Sequence, residues 1–348
     1  MHRTVASVAR LAMATGILIL LPARPVIAQG RTDVVTLANG DRITGEVAEL
    51  ERGRLEFKTD DAGTLYLEWD KLTSVIASGR LVQIETADER RFLGTLTPAT
   101  SRQLAVTTAN GTVLLPMAEV TSITPIGRSF WRKLDGTFDV GFSYTQSSGI
   151  AQLNLNSDTL FRRPASQFRF RASFTQTETD DSTQDDRGAV EASYLRYPWK
   201  RWFLTTAGRF ESNESLGIVL RSQAAGAVGP RLINSNRTEL VVGGGIVVNR
   251  EAGVDVEPTT NLEGLATVRM WFVTYDRPQT NLDVGVAYYP SISDSGRYRL
   301  QIDTSAKREI WSDFFVSVNF YDTFDSEPPN PDANSNDVGV VLSIGWTY

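Results

Sequence analysis

From Thr137 onward the chain is built of segments roughly ten residues long in which apolar and polar side chains alternate. Strict period-two alternation puts successive side chains on opposite faces of a strand. The last segment is the cleanest: Val338, Val340, Leu342, Ile344, Trp346 and Tyr348 share one face, with Gly339, Ser343, Gly345 and Thr347 on the other. Similar patterns occupy 138–144, 168–174, 240–248, 282–288, 298–302 and 314–320, and weaker ones 151–161, 188–197, 202–211, 217–229 and 261–274, which brings the count to twelve. A soluble β-sandwich also alternates. These strands, however, are longer than the usual five or six residues, their number is even, and the chain ends on an aromatic that completes an alternating strand. The pattern predicts an antiparallel transmembrane β-barrel of about twelve strands. Unpaired backbone groups in hydrocarbon cost several kcal/mol each, so the last strand is expected to pair with the first, near 137–144.

The leader agrees with that destination. Arg3 and Arg10 flank the start of an apolar core at 11–21, which Pro22 and Pro25 break before Val26-Ile27-Ala28. The core is too short to cross ~30 Å of hydrocarbon as a helix, and it matches a cleavable export signal over 1–28 that leaves Gln29 as the N-terminus. The chain has no Cys, and its single His is His2. A mature chain without imidazole or thiol excludes Cys nucleophiles, Ser-His triads and His-liganded zinc. No enzyme, cofactor or metal site is expected. Removing Arg3, Arg10 and Arg24 from the 35 basic residues leaves 32 against 41 acidic ones, which argues against a nucleic-acid partner.

Residues 33–126 carry one pattern twice. Gly45 matches Gly94 and Leu55 matches Leu104 at an offset of 49; Gly63-Thr64 matches Gly111-Thr112 at 48. Such self-similarity marks a duplicated unit. Asn39-Gly40, Gly63 and Asn110-Gly111 are expected at tight turns between four or five short strands per copy. This describes a duplicated small SH3- or Sm-like periplasmic β-domain, and NGDRITGEV at 39–47 resembles the opening of Sm-like folds. The expected organisation is a signal at 1–28, copies at 29–78 and 79–129, and a barrel at 130–348. Asp41, Asp60, Asp61, Glu68 and Asp70 read as solvated turn and edge charges. Trp69 is expected in the core, with a binding face beside Tyr66 as the alternative.

Connections within the barrel alternate between short (162–166, 198–201, 276–279) and long (178–186, 250–258, 322–337). Periplasmic turns are short and extracellular loops long, which puts both chain ends, and the repeat domain, in the periplasm. The acidic long loops read as solvated rather than as cation sites among lipopolysaccharide head groups. Asp180, Asp181, Asp185 and Asp186 lie close together but on a loop tip without the seclusion that acid–base chemistry requires. The inward face is expected to carry Asp139, Glu191, Glu239, Glu263, Asp283 and Asp303 against Arg169, Arg171, Arg209, Arg221, Arg269 and Arg299. Such a balanced set either fills a narrow lumen with ion pairs or lines a narrow polar pore.

The ending VVLSIGWTY resembles the signal that outer-membrane barrels present to the barrel-assembly machinery, with Val340, Leu342, Ile344, Trp346 and Tyr348 as its alternating residues. Together with the export signal and the NGDRITG-type segment, the chain resembles the salt-induced outer-membrane protein family (YdiY-like), a domain of unknown function. The most family-like stretch is GIVLRSQAAGAVGPRLI at 217–233. Two features depart from the family: the duplicated periplasmic segment and the smooth glycine-rich strand around Gly243 to Gly245. The resemblance implies a protein of the Gram-negative outer membrane, structural or channel-forming, linked to salt or osmotic response, and supplies no catalytic residues. A barrel-anchored periplasmic module that recruits an envelope partner is the alternative, and an outer-membrane enzyme the third reading. The implied partners are outer-membrane lipid and lipopolysaccharide, the assembly machinery during biogenesis, and a periplasmic partner of the repeats.

Overall fold

The computed structural model describes residues 31–126, 134–145, 150–163, 165–178, 185–213, 218–253, 258–327 and 335–346. They form an all-β structure, and among them no helix is long and apolar enough to cross a membrane. The expected leader lies outside the described residues.

The N-terminal β-domain repeats one element order. β1 (Asp33–Leu37), β2 (Arg42–Glu51), β3 (Arg54–Lys58) and β4 (Thr64–Glu68) lead through a 3-10 turn at Trp69–Lys71 into β5 (Leu72–Thr86). β6 (Arg91–Thr97), β7 (Gln103–Thr108) and β8 (Gly111–Pro116) lead through a second 3-10 turn at Met117–Glu119 into β9 (Val120–Pro125). β5 serves both copies. It pairs with β1 at Val35↔Val75 and with β9 at Ile84↔Ile123, and it runs through 78 and 79, where the copies are expected to meet. The last strand of each copy also touches the second strand of the other, at Ala77↔Leu96 and Leu50↔Ile123. β1, β2, β9 and β5 thereby close a four-strand ring around one shared core that buries Val35, Leu50, Phe57, Ile84, Leu104 and Ile123. Each such side chain contributes ~1.5–3 kcal/mol, and the shared strand lets both copies draw on the same interior. Trp69 is buried as expected, and its Nε1 donates to the Met117 carbonyl at 2.7 Å, tying the two 3-10 turns together. Tyr66 is exposed.

The C-terminal body is a twelve-stranded antiparallel up-and-down sheet, every strand paired with its chain neighbours. Its strands are β10 (Leu134–Thr145), β11 (Ile150–Arg163), β12 (Ser166–Glu178), β13 (Asp185–Trp199), β14 (Trp202–Asn213), β15 (Ile218–Asn234), β16 (Thr238–Gly253), β17 (Thr259–Thr274), β18 (Thr280–Pro290), β19 (Tyr298–Trp311), β20 (Phe314–Asp325) and β21 (Asn336–Trp346). The connections at 164–165, 200–201, 235–237, 275–279 and 312–313, two to five residues long, fall at one end of the sheet, and those at the other end run from four to ten residues.

One expectation is corrected. The ladder runs from β10 to β21, and among the described residues these two strands do not pair. Most of their described residues are exposed. Every other pair in the sheet is a hairpin whose turn fixes its register, whereas the seam joins segments from opposite ends of the body with no connection to align them.

Candidate functional site

Directly opposed residues in an antiparallel ladder point to the same side. The register opposes Arg171 to Glu191 and Glu191 to Arg209, then Glu211 to Arg221 and Arg221 to Glu251. It opposes Glu239 to Trp271 and Trp271 to Asp283, and sets Gly285 between Arg269 and Asp303. Followed across the sheet, this register puts all twelve charged residues singled out in the sequence on one polar face. The opposite face is apolar and exposed, with Phe138, Phe142, Ile246, Leu342 and Ile344 among its members. Val340, Leu342, Ile344 and Trp346 lie on it; Tyr348 lies outside the described residues, as do Asp180 and Asp181.

Aromatic rings gather at both ends of the apolar face. Beside the short turns, Trp199 opposes Trp202, Trp311 opposes Phe314, and Phe314 opposes Trp346. At the long-loop end Tyr298 lies 5.9 Å from Tyr288 and 5.5 Å from Phe324, centroid to centroid. By sequence, Trp346 and Tyr348 have a role only in the terminal signal. Trp199, Trp202, Trp311 and Trp346 each end or begin a strand, although only Trp202 bounds an alternating segment of the sequence.

The polar face is threaded by ion pairs. Arg171 binds Glu191 at 2.6 Å, Glu191 lies 3.7 Å from Arg209, Arg209 lies 3.3 Å from Glu211, and Arg221 joins Glu251 at 2.9 Å. Arg169 holds Asp158 in a two-pronged contact, its Nε at 2.8 Å, and Arg299 grips Glu263 likewise, its Nε at 2.9 Å. Asp158, Glu211 and Glu251 therefore belong to the network although the sequence reading omitted them. A cavity of about 600 Å³ opens on the same face, with Arg269, Asp283, Tyr289, Gln301 and Asp303 in its wall.

Glu239 and Asp283 find other partners, and these lead into the N-terminal β-domain. Asp283 accepts from Arg52 at 3.1 Å, and the Arg52 guanidinium lies 4.9 Å from the Trp271 ring centroid. Glu239 accepts from Trp271 Nε1 at 2.7 Å and lies 3.6 Å from Arg231. Arg231 in turn is buried against Glu85 and Glu89, its Nε donating to Glu89 at 3.1 Å. Arg91 completes the cluster by pairing with Glu85 at 2.8 Å. The Tyr197 ring takes both guanidiniums, Arg91 at 4.6 Å and Arg231 at 5.1 Å from its centroid. Two arginines and two glutamates thus share one largely buried cluster between the two bodies, with Glu239 at its edge.

Around this cluster the short turns meet the domain directly. The Ala165 amide donates to Gln83, the Arg201 amide to Glu89, Asn236 to the Val120 carbonyl, and Tyr275 Oη to the Arg52 carbonyl. Lys71 reaches Asp276 at 2.9 Å, and this hydrogen bond raises the Lys71 ammonium and lowers the Asp276 carboxyl from their ordinary values. Arg237 bridges Asp70 and Asp276, so Asp70 is a docking charge as well as a turn residue. Sequence reasoning missed Arg231 because the alternating pattern of that strand was followed only to 229, before Pro230, and Arg52 because it lies in a hairpin of the other body.

Among the described residues no three or more His, Cys, Asp or Glu side chains converge as a metal site. A family model described as "Protein of unknown function, DUF481" matches residues 139–348. No curated protein matches the chain.

Proposed function

This chain belongs to the DUF481 family of proteins of unknown function, and on that premise we propose that it is a β-barrel of the Gram-negative outer membrane, crossing with β10 to β21 and holding its N-terminal β-domain in the periplasm. The observation that carries the reading is the division of the twelve-stranded sheet into one polar and one apolar face, with aromatic rings at both ends of the apolar one. An apolar belt flanked by aromatic girdles fits a bilayer, where amphipathic rings favour the head-group level, whereas in water so large an apolar surface invites association. The contacts of the lipid face are then with membrane lipid and, in the outer leaflet, lipopolysaccharide, and the assembly machinery reads the last strand.

The protein's role in this reading is structural or that of a narrow channel, without catalysis, in an envelope that responds to salt or osmotic stress. The ion-paired polar face supports a constricted rather than a wide lumen. Membrane fractionation tests the location: the chain should enter the outer-membrane fraction and migrate differently in gels before and after boiling. Recovery in the soluble periplasm, with no heat-dependent shift, overturns it.

A second reading, a barrel-anchored module that recruits an envelope partner, has its own support. β4 and β8 are the free edges of the domain's sheet, and Tyr66 and Leu114 are exposed at equivalent positions on them. Exposed edges are templates for strand addition. A periplasmic protein captured by the wild-type chain and lost on Tyr66→Ser with Leu114→Ser would favour this reading.

A further inference from the structure

We propose that the N-terminal β-domain is a latched plug at the short-turn mouth of the barrel, with Arg52 inserted into the polar interior and Arg231, Glu85 and Glu89 as the latch. The proposal rests on the barrel reading above, and its solutes are inorganic ions and small polar molecules.

The first support is where the contacts fall. The domain engages polar-face side chains from β11 to β18: Arg162 with Glu49 at 3.1 Å, Tyr197, Arg231, and Asp283 with Arg52. It also touches the turns at 164–165, 200–201, 235–237 and 275–279. A body held at that many points across one end of the sheet covers the mouth rather than hanging beside it.

The second support is how the two copies differ. Gly40 in the first copy, at φ +93°, matches Glu89 in the second, at φ 63°. The turns are the same: the Leu37 amide donates to the Asp41 carbonyl and Gly40 to Leu37, as Thr86 does to Arg90 and Glu89 to Thr86. Left-handed backbone suits glycine and strains other residues, so a buried glutamate there points to a local role. That glutamate takes Arg231 and the Arg201 amide. Conversely, Arg102 of the second copy matches Gly53 of the first, and a Cβ on Gly53 would stand 2.6 Å from the Asn236 carbonyl oxygen. Each copy breaks the repeat at the residue that faces the barrel. A linker-tethered domain with no docked state would need neither departure.

The third support is the chemistry of the latch. Arg231, Glu85 and Glu89 are buried and ion-paired, with Arg91 and Glu239 at the cluster's edge. Such a cluster holds when complete and fails when one member is removed, because a buried charge is then left unpaired. Arg52 by contrast stays about one-third exposed, as suits a group standing in a water-filled mouth. Withdrawing the hairpin that carries it would unblock the polar face without unfolding the domain's core.

Planar-bilayer recording of the refolded full-length chain in KCl tests the plug. Arg52→Ala and Arg231→Leu should each raise the time-averaged conductance several-fold over wild type. The native chain has no Cys, and Lys71 and Asp276 are half-exposed partners. Lys71→Cys with Asp276→Cys, joined by a bismaleimide with a reducible spacer, should therefore suppress openings until reductant is added. Conductance equal to wild type in both single variants, or unaffected by the cross-link, overturns the plug. So does silence in every form, since the barrel interior would then be filled by its own side chains. Gel heat-modifiability of each protein separates these outcomes from failure of the barrel reading, which would show as no shift even in wild type; Arg52→Ala, which strands no buried carboxylate, guards against a folding defect in Arg231→Leu.

Discussion

Holding a non-glycine residue in a sparsely populated backbone region costs about 1–3 kcal/mol, and Glu89 bears that strain at the turn after β5. Glu89→Gly would relieve it and keep the turn. It would also take one of two buried carboxylates from Arg231, and breaking a buried ion pair by removing one partner costs about 3–5 kcal/mol. The second effect is larger, so Glu89→Gly should loosen the docked domain. Amide hydrogen exchange should accelerate at 83–91 and at 231–237; unchanged or slower exchange would show that strain outweighs the ion pair. Asp33 shows a different balance. Burial pushes its carboxyl above the ordinary 3.8, while the Val47 amide and the Arg80 guanidinium pull it down without cancelling the effect. A pKa raised on folding contributes stability below the unfolded value, and that contribution is lost as the pH rises through the folded value. Carbon-detected NMR of the Asp33 carboxyl should place its midpoint above 3.8, and a midpoint below it would mean that the two partners outweigh burial.

At the scale of the strand, β20 and β21 interlock through aromatic rings laid over glycines on the polar face. Tyr321 covers Gly339 and Phe315 covers Gly345, so that a Cβ on either glycine would clash with the ring. Overpacking of this kind costs about 1–3 kcal/mol. Gly339→Val should lower the urea midpoint of the heat-modifiable form, whereas Ser343→Ala, which removes one hydroxyl from the same face, should leave it in place. Equal midpoints for the two would remove the interlock from the account. Deleting 346–348 takes Trp346 from its place opposite Phe314 and shortens the last strand. The truncated chain should accumulate in the periplasm or be degraded, and normal levels in the outer membrane would deny the last strand its role in assembly. The strands themselves were legible because alternation is local: Val338 to Trp346 declares its two faces without reference to any other segment. Opposition across the ladder was legible only in kind. Arg171 and Glu191 were both assigned inward, but Asp158 and Glu211 fell in segments with weaker alternation and Glu251 in an expected long connection. The contact of Arg52 with Asp283 was invisible, because it joins residues from different bodies whose meeting no local pattern records.

For the molecule as a whole, the duplication gives the domain its core and the departures from duplication give it a docking face. β5 and β9 each serve both copies, so the ring around Leu50 and Ile123 is closed by pairings within the domain itself. Gly53 and Glu89 then make the two copies unequal on the side that meets the short turns. The twelve-stranded sheet divides its residues just as sharply, charge on one face and apolar groups on the other, and a bilayer outside with water inside is the environment that suits both. The most direct test is spin-label accessibility along β20 in outer-membrane vesicles. Labels at Val316, Val318 and Phe320 should collide with oxygen dissolved in lipid, and labels at Ser317 and Asn319 with a water-soluble nickel chelate, alternating residue by residue. Uniform accessibility along the strand, or alternation of the opposite phase, would contradict a membrane barrel with a polar interior.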